Sequence, residues 1–180
     1  MRARVVYESV FGNTEAAATA IARGLQEHAE VDVVNVADAT PDSHSPVDLL
    51  VIGGPTHAFG MSRRQTRQDA ADRIGGPFGP NENTTTGIRE WLEAEHQAPR
   101  GARAAAFATK LQRPSWLPGS AARGIGRQLR RSGFVLVRRP VDFYVVGVTG
   151  PLAAGEFDRA KLWAQRMASE ENDRRARQSR

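Results

Sequence analysis

Short apolar runs alternate along the chain with stretches whose apolar residues recur every three or four positions. Val5-Val6-Tyr7 is a strand-like run, closed by Ser9 to Asn13. Residues 14–28 carry Ala17, Ile21 and Leu25 at four-residue spacing, which predicts one buried helical face, and Glu15 in the first turn favours the helix dipole. Val31 to Val36 predicts a second strand, and 40–46, rich in Pro, Ser and Asp, a loop. Leu49-Leu50-Val51-Ile52 is apolar without alternation, the pattern of a strand covered on both faces. It is expected to stop at Gly53-Gly54-Pro55.

Helices are predicted at 62–74, 86–95 (around Ile88, Trp91 and Leu92), 120–131 and 154–170, with a breaker-rich loop at 75–83. A fourth strand fits 102–108. A fifth fits 134–137 and 143–148, interrupted at Arg139-Pro140, where proline removes a ladder donor. Five strands alternating with helices predict an α/β chain: a single doubly wound domain with a five-stranded parallel sheet and helices on both faces. The domain is expected over 1–172, with 173–180 a frayed basic tail.

Composition narrows the chemistry. The 180 residues include no cysteine, which removes disulfides, thiolate metal sites and a catalytic thiol, and suits a reducing compartment. No metal site is expected. The apolar start is too short for a signal segment and no run has the length of a spanning helix, so a cytoplasmic protein is expected. The net charge of +5 comes from 23 Arg and 2 Lys against 20 acids. The excess is spread along the chain without interleaved aromatics, so a nucleic-acid partner is not expected. Two clusters stand out: Arg123/Arg127/Arg130/Arg131 and Arg174/Arg175/Arg177/Arg180.

In a doubly wound sheet, ligands bind at the carboxyl ends of the strands. Three segments fall there. Ser9-Val10-Phe11-Gly12-Asn13-Thr14 offers hydroxyls, a permissive glycine and Asn13 as a cap, leading into a helix N-terminus that attracts phosphate. It holds no cation and neither the P-loop lysine nor Gly-x-Gly-x-x-Gly, which disfavours ATP and NAD. The same residues also fit a plain strand-to-helix turn. Strand three ends in Ile52-Gly53-Gly54, with Asp42 and Asp48 misplaced, so no phospho-accepting aspartate is available.

Tyr7 to Glu15 closely resembles the flavodoxin signature, a hydroxyl residue, any residue, then a Thr/Phe/Tyr-Gly-Asn-Thr run. Gly53-Gly54-Pro55-Thr56-His57-Ala58-Phe59-Gly60-Met61 resembles that family's loop beside the isoalloxazine ring. The resemblance implies strand order 2-1-3-4-5, an FMN cofactor, and an electron carrier serving a redox partner protein. Ser9, Val10, Phe11, Gly12, Asn13 and Thr14 would form the phosphate loop. Pro55, Thr56, His57, Ala58, Phe59 and Gly60 would flank the ring, with Phe59 or His57 stacking and Gly60 permitting a peptide flip. The segment 109–116 is a weaker match, in which Thr109, Lys110 and Trp116 are the candidate contacts, Trp116 as a second stacking aromatic. No catalytic residue is assigned. The basic charge departs from the acidic carriers of the family, implying either an acidic partner or a protein that is not a diffusible carrier. Two alternatives stay open: an FMN-dependent NAD(P)H:quinone or nitro-compound reductase, and a flavin-free regulatory domain.

Overall fold

A computed structural model of the chain describes residues 1–39, 47–73, 86–94, 98–99, 101–112 and 119–178. At its centre β1 (Arg2–Tyr7) pairs in parallel with β2 (Glu30–Asn35) on one side and β3 (Leu49–His57) on the other. Beyond β3 lies β5 (Arg103–Leu111), reached through the short β4 (Gly60–Met61), α2 (Arg64–Arg73) and α3 (Ile88–Ala94). After α4 (Ala121–Arg131), two short strands, β6 (Val135–Leu136) and β7 (Val141–Val145), both pair in parallel with β5. They are the two halves of the interrupted fifth strand, so the parallel sheet runs β2-β1-β3-β5-β6/β7, which is the expected order 2-1-3-4-5 once the short antiparallel β4 is left out of the numbering. The interruption falls where Pro140 packs closely on α4: a Cβ at Gly126 would lie 2.7 Å from the proline ring.

Both sheet faces are covered, which explains the unbroken apolar runs. Val5, Leu49, Val51 and Phe107 face α1 (Asn13–Leu25) and α5 (Glu156–Gln178), meeting Ile21, Leu25 and Met167. Val6, Leu50 and Ile52 face α3 and α4, meeting Ile88, Trp91, Leu92, Ile125 and Leu129. Neighbouring residues on a strand point to opposite faces, so a doubly covered strand must be apolar at consecutive positions. Helices α1 and α5 approach closely: a Cβ at Gly24 would collide with the Lys161 carbonyl oxygen.

Several boundaries differ from the sequence expectation, three of them near the sheet edge or the chain end. β3 runs four residues past Gly53, to His57. The fifth strand stops at Val145 instead of 148, and Val146 and Val148 turn outward, exposed by 71% and 64%. Helix α5 continues beyond 170 to Gln178, through part of the segment read as a frayed tail. Its last turns are held by charge: Glu171 bonds both Arg103 and Arg174, and Arg175 pairs with Asp48. No helix among the described residues is long and apolar enough to cross a membrane.

Candidate functional site: the carboxyl edge of the sheet

Beyond Tyr7 the chain turns off β1, with the Glu8 amide donating to the Gly53 carbonyl at 3.0 Å. It then enters α1 through Gly12, which has φ +75°, a left-handed conformation that favours glycine. No heavy atom lies within 4 Å of where a Gly12 Cβ would stand, so the turn opens onto free space. Gly12 is the N-cap and supplies no side-chain cap, leaving the amides of the first turn to an outside acceptor. α4, at the same edge, is closed instead: Ser120 Oγ accepts from the Arg123 amide at 3.2 Å.

Beside the open turn, Ser9 Oγ is buried with no hydrogen-bond partner. A buried hydroxyl without a partner is costly. An uncapped helix start beside an orphaned hydroxyl has the donor chemistry of a phosphate monoester cradle, so the phosphate end of an FMN fits the residues present. Val10 and Phe11 line the turn half-buried. Asn13 departs from its expected role, being the first helical residue and not the cap. Its side-chain amide donates to the Thr149 carbonyl at 3.0 Å and packs against Gly150, fastening the loop after β7. Thr14 is buried, with its hydroxyl 2.8 Å from that of Thr109 on β5.

The second segment is a hairpin. Thr56 faces Met61 and His57 faces Gly60, leaving Ala58 and Phe59 as the loop. Both loop residues have positive φ, +42° and +73°, the dihedral signs of a type I′ turn made without glycine. Gly60, expected as the permissive residue, sits instead on β4 outside the left-handed region. Phe59 is 55% exposed, and its backbone leaves no room for a side chain at Gly119. Pro55 continues β3 opposite Thr109. Thr56 Oγ1 accepts the first α4 amide, from Ala121, at 3.1 Å. The third segment is partly committed: Lys110 Nζ pairs with Asp142 at 2.9 Å, and Asp142 also accepts from Ser120 Oγ at 2.7 Å. Trp116 lies outside the described residues.

Thus the turn, the hairpin and Thr109 stand at the ends of three adjacent strands. The flavodoxin family description matches residues 5–88. A flavodoxin from the domain Archaea superposes over 96% of this chain and 99% of its own, with TM-score 0.66 at 21% identity. Flavodoxin 1 from Bacillus cereus does so over 94% and 98%, at TM-score 0.66 and 16% identity.

The fold is flavodoxin-like.

A third structural relative, the Flv1 flavodiiron core from Synechocystis, covers 96% of this chain but contributes only 36% of its own length, at TM-score 0.62 and 15% identity. At these identities the likeness establishes the fold. No curated protein matches the chain in sequence.

This flavodoxin-like chain also holds a buried polar network that its sequence pattern does not announce. Glu8 Oε2 accepts the Ile88 amide at 2.8 Å, while Oε1 is buried without a partner. Arg67, 2% exposed, donates to Ser62 Oγ at 2.9 Å and pairs with Glu90 at 3.2 Å. Gly87 is required here, because a Cβ would collide with the Arg67 guanidinium. Burial pushes the Glu8 carboxyl up, and Ser62, Ile88 and Arg67 only partly oppose it. For Glu90 burial acts in the same sense, but hydrogen bonding from Arg67 outweighs it and the carboxyl is held low. His57, whose Nδ1 is 3.3 Å from Thr66 Oγ1, is pushed below its usual value by burial and then by the Arg67 charge. The one signal available in sequence was Glu8 itself, an acid at the end of a buried strand. Among the described residues no group of acids and histidines is arranged to hold a metal ion.

Proposed function

We propose that this chain binds FMN at the carboxyl edge of the sheet and carries electrons to a redox partner. The observation that supports it most is the unpartnered Ser9 hydroxyl beside the uncapped start of α1. FMN, when bound, supplies one- and two-electron chemistry. Ser9 and the α1 amides hold its phosphate through neutral donors, and Gly12 keeps the turn open. The exposed ring of Phe59 would offer a stacking surface to the flavin, and the β3–β4 hairpin would offer it backbone groups. Lys110 stands at this wall as half of an ion pair with Asp142, which holds its ammonium in place.

Quenching of FMN fluorescence on titration with the protein tests this reading. The wild-type chain is expected to take up one flavin, and Ser9→Ala to bind it about tenfold more weakly, the loss of one hydrogen bond worth about 1.4 kcal/mol. Absence of quenching by the wild type overturns the reading. Oxidation of NADPH with a quinone acceptor, faster than free FMN supports, would move the assignment from carrier to reductase.

A further inference from the structure

The arginines of this chain fall into two groups. Around the strands and on α5 most are matched by carboxylates: Arg103 and Arg174 share Glu171, Arg138 meets Glu170, Arg159 meets Glu156, and Arg175 meets Asp48. The second basic cluster of the sequence is thereby partly neutralised. Helix α4 is different. Its sequence, AARGIGRQLRR, contains no acid, and Arg123, Arg127, Arg130 and Arg131 are all exposed. None of the four side chains has an ion-pair partner among the described residues. The spacing of four, three and one places them on one stripe, about 12 Å long at the rise of an α-helix.

The stripe is not remote from the candidate site. It begins at the hairpin: Ala121 bonds Thr56, a Cβ at Gly124 would lie 3.3 Å from Met61, and Gly119 abuts Phe59. Arg63 and Arg64, exposed at the start of α2, follow the same hairpin from the other side. Like charges held unpaired along one helix repel one another at a cost that an opposing acidic surface would relieve. Exposed apolar and arginine side chains side by side are the make-up of a protein–protein interface. A nucleic-acid face would add stacking aromatics or a groove-filling element, which the exposed side of α4 lacks.

We propose that the α4 stripe is the docking surface for an acidic protein, seated beside the Ala58-Phe59 hairpin. This deepens the electron-carrier reading by naming the class of its partner, with a polarity opposite to that of an acidic carrier. The docking itself rests on the charge pattern and is measurable without flavin.

Fluorescence anisotropy of a labelled plant-type two-iron ferredoxin, an acidic probe, titrated with the full chain at low and high salt, tests the proposal. The wild type is expected to bind at low salt and release at high salt, and a basic cytochrome c not to bind. Arg123→Glu with Arg127→Glu should weaken ferredoxin binding about tenfold or more, the scale of electrostatic steering. Arg166→Glu with Arg177→Glu changes net charge equally on α5, across the sheet, and should leave binding within about twofold. The milder Arg123→Gln with Arg127→Gln serves should the charge reversal disturb folding. Equal weakening by both reversals, no ferredoxin binding by the wild type, or duplex DNA binding through α4 in its place overturns the proposal. Titrations run with and without added FMN keep the two readings separate: failed flavin uptake removes the cofactor assignment, while the anisotropy still decides the docking.

Discussion

The hydroxyls of Thr14 and Thr109 lie 2.8 Å apart across 95 residues of sequence, both buried at the carboxyl edge of the sheet. The bond ties the first turn of α1 to the end of β5, and so fixes the turn around Gly12 relative to Lys110 and Asp142. Replacing one partner leaves the other hydroxyl buried and unsatisfied, whereas replacing both by isosteric apolar groups removes the conflict. Thr14→Val and Thr109→Val should each cost about 1–2 kcal/mol in urea unfolding, and the double variant less than their sum by about 1 kcal/mol. Strict additivity would show that the two hydroxyls do not depend on each other.

Much of this arrangement was legible because two-sided burial writes itself into runs such as Leu49 to Ile52, and because Ser120 announces the start of α4. What escaped was decided by tertiary neighbours. Gly53 and Gly54 looked like the end of a strand, yet a Cβ at Gly53 would fall inside the Phe107 ring, so glycine is there to admit an aromatic. Pro55 is tolerated because β1 pairs with β3 only as far as Gly53, so the lost donor breaks no ladder on that side. The end of α5 was placed early because apolar periodicity stops at Ala168, while Glu171 and Arg175 carry the helix on through ion pairs that periodicity does not report. The phosphate turn was readable as a motif, but the loss of Asn13 to Thr149 depends on a loop more than a hundred residues away.

The hairpin stores strain at Ala58 and Phe59, whose left-handed conformations cost an L-residue about 1–2 kcal/mol each. Glycine at 58 removes that cost and adds some unfolded-state entropy. Ala58→Gly should therefore stabilise the protein by about 1 kcal/mol, a rise in Tm of about 2–4 °C by calorimetry. A fall in Tm would contradict the left-handed geometry at 58. Phe59→Gly should relax the turn in the same way but weaken FMN uptake, which separates the ring's role from the turn's.

His57 links stability to pH. Burial and the Arg67 charge hold its folded value below the ordinary 6.5, so the unfolded chain takes up a proton that the folded chain resists. The stabilisation is in place above 6.5 and is lost as pH falls from there through the folded value. Urea unfolding near neutrality and at mildly acidic pH should show the wild type losing stability while His57→Gln loses less. Glu90, Glu171 and Asp48 act lower: burial would raise each, but hydrogen bonds and charge from arginines and backbone hold them down, so their contribution disappears only below the ordinary carboxylate range. A variant that tracks the wild type through the mildly acidic range would remove His57 from the account.

Glu8 has the opposite sign, and Arg67 is the residue that makes it tolerable. Because the folded carboxyl holds its proton more tightly than the unfolded one, its contribution is greatest below the ordinary glutamate value and declines as pH rises through the folded value. At neutral pH Glu8 and Glu90 both rely on the guanidinium between them, which also bonds Ser62, while Arg89 is occupied with the Met61 and Ser62 carbonyls. Arg67→Leu would leave buried acid without its cation and should cost about 3–5 kcal/mol. Glu8→Gln keeps the shape and an acceptor for the Ile88 amide without the charge. Alone it should flatten the pH profile, and in the Arg67→Leu background it should recover part of the loss. Denaturant unfolding of the four proteins at neutral pH reads the whole cycle. An Arg67→Leu cost below about 1 kcal/mol, the range of an exposed pair, would mean that water reaches this network and that Glu8 is not held by it.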